Sequence, residues 1–325
     1  MAKMTMVEAI NMAHAWEMAH DSSVVVLGED VGTNGGVFRA TVGLQQRFGK
    51  ARVQDTPLAE GLIAGTAIGM AAQGLKPVAE IQFMGFIYPA LDQIASHMAR
   101  LRNRTRGRLT CPVVLRMPHG GGIHAPEHHS ESLEALLCHH PGLKVVCPSS
   151  PARAYGLLLA AIRDPDPVMF LEPVRLYRFA RQEVPDDGQA LPLGCCFVLR
   201  EGTDVTILTW GAMTVDSLKA AEQLSADGVS CEVIDAGTLA PLDFDTILDS
   251  VVKTGRLVIV HEAPRTCGLG AEIAATVAEQ ALYDLLAPIR RVTGYDTIMP
   301  LYRLEHDYIP GVARIVDSVR TTLAE

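Results

Sequence analysis

Aromatic residues make up only 5% of this 325-residue chain and charged residues only 20%. The seven cysteines are an odd number and contain no C-x-x-C pair, which excludes a disulfide framework or a zinc ribbon; they are read as small apolar residues. No apolar run reaches the ~18–20 residues of a membrane helix, and no charged, apolar, small-residue order marks a signal peptide. A soluble, cytosolic protein is therefore expected. The net charge of −9 is unclustered, which argues against nucleic acid and anionic membranes as partners. Phosphate-binding motifs are also missing: there is no G-x-x-x-x-G-K-[ST], and no G-x-G-x-x-G follows a strand. The nearest approach, Gly268-Leu269-Gly270-Ala271-Glu272-Ile273, fails at its last position and reads as the start of a helix.

What remains is 48% apolar residues and abundant Ala and Gly, which suit layered α/β packing. Thr5-Met6-Val7-Glu8 reads as a capping box opening a helix to about His20. Short β-branched or apolar runs predict strands at Ser23–Leu27, Arg52–Val53, Pro77–Phe83, Pro112–Met117, Leu143–Cys147 and Val168–Leu171. A small-residue helix is expected from Glu60 to Gln73, a long amphipathic one over Tyr88–Arg102, and one from Ser150-Pro151 to Arg163. The polar segment Arg181–Gly194 reads as a linker between residues 1–180 and 195–325. Beyond it, strands at Val205–Thr209, Cys231–Ile234, Leu257–Val260 and Ile289–Val292 alternate with helices at Thr214–Asp227, Asp243–Val252 and Ala271–Leu285. Strands separated by helices imply two tandem doubly wound α/β domains with parallel sheets.

Such sheets bind ligands beyond the carboxyl ends of their strands, which directs attention to the loops Gly28–Gly36, Asp55–Glu60 and His119–His129. Glu60 has two readings: a first-turn glutamate favoured by the helix dipole, or a carboxyl in a dry site that shares a proton with a basic ring nitrogen. His119, His124, His128, His129, His139 and His140 are six of 11 histidines. Their spacing matches no metal-ligand pattern, and Gly120, Gly121, Gly122 and Pro126 keep them off a common helical face. One imidazole acting as acid, base or positioning donor fits better. His139 and His140 read as helix-end charges or surface residues.

Several ordered segments carry a resemblance: GEDVGTNGGVFRAT (28–41), DTPLAEGLIAG (55–65), AEIQFMGFIYPALDQI (79–94), RMPHGGGIHAPEHHSES (116–132), HPGLKVVCPSSP (140–151), RDPDPVMFLEPVRLYR (163–178), EGTDVTILTWGAMT (201–214) and VKTGRLVIVHEAPR (252–265). With these segments the chain resembles the β subunits of thiamine-diphosphate-dependent 2-oxoacid dehydrogenases, the decarboxylase component of pyruvate and branched-chain complexes. The resemblance implies a pyrimidine-binding domain followed by a transketolase-type C-terminal domain. It implies that an α subunit, in a heterotetramer of two α and two β, holds Mg2+ and the diphosphate, so that a phosphate motif is not needed here. It also implies a lipoyl-bearing acyltransferase core as partner.

By position, Glu60 falls at the glutamate that hydrogen-bonds the aminopyrimidine ring nitrogen and favours its imino form. Leu58, Gln82 and Phe86 fall at positions lining the pyrimidine pocket, and Phe86 stands where some branched-chain members carry Tyr. His129 falls at the histidine that steers the 2-oxo acid and assists acyl transfer to lipoamide; His128 matches no such position. Glu29 corresponds to an acidic residue near the passage between paired sites, with a proton-relay or a structural role. Val113, Ala161, Ile162, Asp164 and Asp166 match positions that hold a potassium ion in some members. The QFMGF segment and the HGGGIHAPE loop look closest to bacterial pyruvate members, with a branched-chain substrate as the alternative. A self-sufficient single-chain enzyme and a non-catalytic interaction module are the competing readings.

Overall fold

The computed structural model describes residues 2–325. Strand β1 (Ala2–Met4) leads into α1 (Met6–His20), and the capping box forms as expected: the Thr5 amide donates to the Glu8 carboxylate at 2.7 Å while the Glu8 amide donates to the Thr5 hydroxyl. There follow β2 (Val24–Gly28), α2 (Leu44–Phe48), β3 (Val53–Asp55), α3 (Glu60–Ala72), β4 (Lys76–Glu80), α4 (Leu101–Arg104), β5 (Val114–His119), α5 (Glu134–Cys138), β6 (Lys144–Val146), α6 (Pro151–Arg163) and β7 (Val168–Pro173). The strands lie in the order β6-β7-β5-β4-β2-β3, all parallel. β2, β5 and β7 are buried throughout, as expected for strands covered on both faces.

The segment expected as a linker is partly regular: β8 (Gln182–Val184) pairs antiparallel with β1. The second unit contains β9 (Phe197–Arg200), β10 (Val205–Thr209), α7 (Met213–Ala226), β11 (Cys231–Asp235), β12 (Thr238–Ala240), α8 (Phe244–Thr254), β13 (Leu257–Pro264), α9 (Leu269–Ala281), β14 (Arg290–Gly294), α10 (Glu305–Tyr308) and α11 (Val312–Ala324). Its sheet runs β14-β13-β10-β11-β9, with only β9 antiparallel. β12 leaves this unit and pairs antiparallel with β6, becoming the edge of the first sheet.

The span Tyr88–Arg102 is not one amphipathic helix. Met84–Ala90 is a 3-10 turn containing Pro89, Gln93–His97 has π winding, Met98–Arg100 is again 3-10, and only Leu91, Asp92 and α4 are α-helical. Pro89 donates no amide hydrogen bond, and the changing pitch still turns Ile87, Ala90, Ile94 and Met98 into the core.

Three apolar layers hold the chain. One covers the α1 and α6 side of the first sheet, one covers the α7 and α11 side of the second, and a third is continuous through the middle, joining Ile63, Ile87 and Leu115 to Trp210, Ile259 and Ile273. Each such fully buried Leu or Ile contributes about 1.5–3 kcal/mol, so the shared layer binds the two sheets into one body.

Candidate active site

From β2 the chain passes to β3 on one side and then to β4 on the other, so the first sheet has a topological switch point beside β2. The loops after β2, β3 and β4 end here. Glu29 follows β2 directly and is buried, with Oε1 lacking a hydrogen-bond partner. Its pKa lies above the usual carboxylate range, first because burial disfavours the charge and then because Glu60, Asp30 and Glu80 are close enough to repel it. Glu60 is the first residue of α3 and is half-buried. Ala59, at the cap position, offers no side-chain acceptor, so this helix start is left to groups outside the helix.

Beneath the switch point lies a charged network that sequence reasoning did not single out. Arg116 is 1% exposed. It donates to Glu172 at 2.7 and 2.8 Å and to Glu80, and the Tyr177 hydroxyl donates to Glu172. Burial opposes charge on Arg116, but Glu172 and Glu80 outweigh it and raise its pKa. Nearby His14 is held neutral, its pKa pushed down to about 3 by burial and then by Arg116. The signal was present in the sequence as one charge inside each of three apolar strands: PVAEI, VVLRM and VMFLEP.

The other half of the site is aromatic. His129 ends a short 3-10 turn, Glu127–His129, and packs edge-on against Phe83 at 4.6 Å and Phe86 at 5.0 Å between ring centroids. Its Nδ1 is buried without a partner. A Cβ at position 85 would run into the His128 carbonyl oxygen, so Gly85 is what lets this turn lie against the Met84–Ala90 segment. Phe83 was not foreseen as a site residue. His128 itself is exposed, stacked on Tyr88 at 6.2 Å.

The structure thus brings Glu29 toward Glu60, and Phe86 against His129. Gln82 is half-buried in the loop after β4. Leu58 is 81% exposed, and Leu62 and Tyr88 are exposed as well, so an apolar shelf borders Glu60. Clefts of about 770 and 850 Å3 elsewhere on the molecule include none of Leu58, Glu60, Gln82, Phe86 or His129. The histidines of the loop do not converge: among the described residues no group of three His, Cys, Asp or Glu side chains is placed to hold a metal ion.

Val113, Ala161, Ile162, Asp164 and Asp166 share one corner, where Val168 N–H donates to Val113 O at 2.9 Å and Asp164 N–H donates to Ala161 O at 3.3 Å. Both carboxylates there are already matched, Asp164 by Lys144 at 2.6 Å and Asp166 by Arg102 at 3.1 Å. The other oxygens there are neutral carbonyls, those of Ala161 and Ile162 in the last turn of α6 and that of Val113 just before β5, and neutral oxygen donors suit a hard cation.

Residues 2–180 match the family described as Transketolase, pyrimidine binding domain, and residues 194–315 match Transketolase, C-terminal domain. The chain is 50% identical over 323 residues to the pyruvate dehydrogenase E1 component subunit beta of Bacillus subtilis, covering 99% of each, and 52% identical over 320 residues to that of Acholeplasma laidlawii, covering 98% of each. In fold it is similar to a split-gene transketolase described as an inactive beta4 tetramer, with a TM-score of 0.82, 24% identity and 99% coverage of both chains. The chain belongs to the family of pyruvate dehydrogenase E1 component β subunits, whose members join a transketolase-type pyrimidine-binding domain to a transketolase C-terminal domain.

Proposed function

We propose that this chain is the β half of a cytoplasmic pyruvate dehydrogenase decarboxylase component, and that an α subunit completes its active site in an assembly of two α and two β chains. The observation that carries this reading is an incomplete site. Glu29 lies close to Glu60 at the first switch point, exposed Leu58 and Leu62 border them, and Phe86 packs against His129, while the sequence contains no phosphate-binding motif. The relatives' names add pyruvate as the substrate.

When bound, thiamine diphosphate supplies the electron sink for decarboxylation of the 2-oxo acid, with its diphosphate and Mg2+ on the α side. The half-buried, unpartnered glutamate fits a basic ring nitrogen: Glu60 holds its carboxyl at the start of α3, next to a second carboxyl that burial keeps protonated more readily than usual. That pairing lets Glu60 hydrogen-bond a ring nitrogen and move a proton to or from it, with Glu29 as the relay behind it. Gln82 and Leu58 line the ring's edge. Phe83 and Phe86 exclude water around His129, whose imidazole steers the 2-oxo acid and assists transfer of the acyl group to a lipoyl group on the acyltransferase core. The corner around Ile162 takes a potassium ion and ties the end of α6 to the start of β5.

The test is Glu60→Ala in the assembled α/β enzyme. Decarboxylation of pyruvate falls about 100-fold or more, the scale of a lost acid–base group; near-normal turnover would remove the role assigned to Glu60. Assaying the wild-type assembly with pyruvate against 3-methyl-2-oxobutanoate settles the substrate, and equal or reversed preference favours the branched-chain alternative.

A further inference from the structure

The loop that carries His129 belongs to the first domain but is held by a carboxylate from the far end of the second. Glu305 sits in the short helix α10 and is 1% exposed. Its Oε1 accepts from Gly122 N–H at 2.7 Å, and its Oε2 accepts from His124 N–H at 3.2 Å and lies 2.9 Å from His124 Nδ1. These three contacts span more than 180 residues of sequence.

The loop needs such a hold. Gly122 has φ +94°, and a side chain there would meet Arg175. His124, which is not glycine, has φ +60°, a left-handed conformation that persists only when its surroundings impose it. Glu305 imposes it through both the backbone and the ring. Two residues further on, Pro126 begins the turn that ends at His129 and presses that imidazole against Phe83 and Phe86.

We infer that Glu305 is a positioning residue: by gripping the backbone of Gly122 and His124 it sets where the His129 imidazole stands, so the C-terminal domain tunes acyl transfer without touching the substrate. This rests on the role proposed above for His129, and the experiment separates the two. Glu305→Gln keeps the size of the side chain but leaves only one acceptor oxygen for two amide donors and removes the carboxylate that faces the His124 ring.

In the assembled α/β enzyme, reductive acylation of a lipoyl domain is measured for Glu305→Gln, His129→Ala and the double variant. The expected result is about a tenfold fall for Glu305→Gln, a larger fall for His129→Ala, and no further fall in the double variant, because both act through one imidazole. Hydrogen exchange of the same assemblies gives a reading independent of activity: the Gly122 and His124 amides exchange at least tenfold faster in Glu305→Gln, while β5 is unchanged. If His129→Ala cripples acylation but Glu305→Gln leaves both acylation and exchange unaltered, the positioning role is wrong and the role of His129 stands. Additive losses in the double variant would also overturn the positioning role. Normal acylation by His129→Ala would overturn the role of His129 itself, whatever the exchange data show.

Discussion

The two sheets of this chain have the same kind of switch point and use it in opposite ways. In the first sheet the crevice beside β2 presents Glu29, Glu60 and Gln82 next to exposed Leu58 and Leu62. In the second sheet the equivalent place lies between β10 and β13, and the first domain fills it. Trp210, directly after β10, stacks on His261 of β13 at 5.2 Å and donates from Nε1 to Glu134 of α5 at 3.3 Å. His119, at the end of β5, has Nε2 3.2 Å from Glu134 and Nδ1 3.9 Å from Glu262. Burial works against charge on His119, but the hydrogen bond and charge of Glu134, with the charge of Glu262, raise its pKa. One crevice is left open, and the other is closed from within the chain. A conserved architecture therefore says where a site can be, while the side chains at the strand ends decide whether one is.

The comparison can be broken most forcefully at the buried charges. Arg116→Met leaves Glu80 and Glu172 without their cation under the first switch point. A loss of about 3–5 kcal/mol is expected in urea unfolding of the isolated chain, the scale of one half of a buried ion pair removed. A loss under about 1 kcal/mol would mean the network is not what supports the open crevice.

Acid attacks both regions at once. Burial holds His14 near the first network and His261 at the second with pKa values of about 3 and about 4. Both are depressed below the unfolded value, so their stabilisation is fully present above about pH 6.5 and is lost as pH falls toward the folded values. Between pH 6.5 and 4.5 each contributes a loss of roughly 2 kcal/mol. His261→Phe should flatten the stability–pH curve by about that amount at the closed crevice. An unchanged slope would show that His261 protonates without unfolding.

Trp210→Phe keeps the stack on His261 and removes the bond to Glu134. About 1–2 kcal/mol is expected from thermal unfolding, with the pyruvate KM of the assembly unchanged. A large KM change would mean the second crevice is part of the working site. The smallest effect on the fold is expected at Leu58→Ser, within about 0.5 kcal/mol for the isolated chain because the side chain is exposed. Its consequence should fall instead on association with the α subunit, weakened about tenfold in a binding titration if Leu58 sits in the buried centre of that interface.

Much of this was legible before the fold was known. The capping box at Thr5 and Glu8, the apolar runs of β2, β10 and β13, and the alternation that implies two parallel sheets all come from local patterning, which the folded chain preserves. The loops bearing Glu29, Glu60 and His129 could be placed because doubly wound sheets put ligands at the strand carboxyl ends. What was not legible depends on distant residues meeting. β12 reads as part of the second domain yet completes the first sheet, because its partner β6 lies nearly 100 residues earlier. α11 was overlooked although Ile315, Val316 and Val319 mark an apolar face. The continuous helix expected over Tyr88–Arg102 ignored Pro89. Glu305 carried no local signal at all, since its meaning lies in two amides of another domain.

The central claim, that this chain holds half of an active site, is tested most directly by thiamine-dependent decarboxylation of pyruvate with the purified chain alone and after adding the α subunit. The account predicts no turnover above background for the chain alone in saturating thiamine diphosphate and Mg2+, and turnover on addition of α that is lost again in Glu60→Ala. Turnover by the chain alone would contradict it.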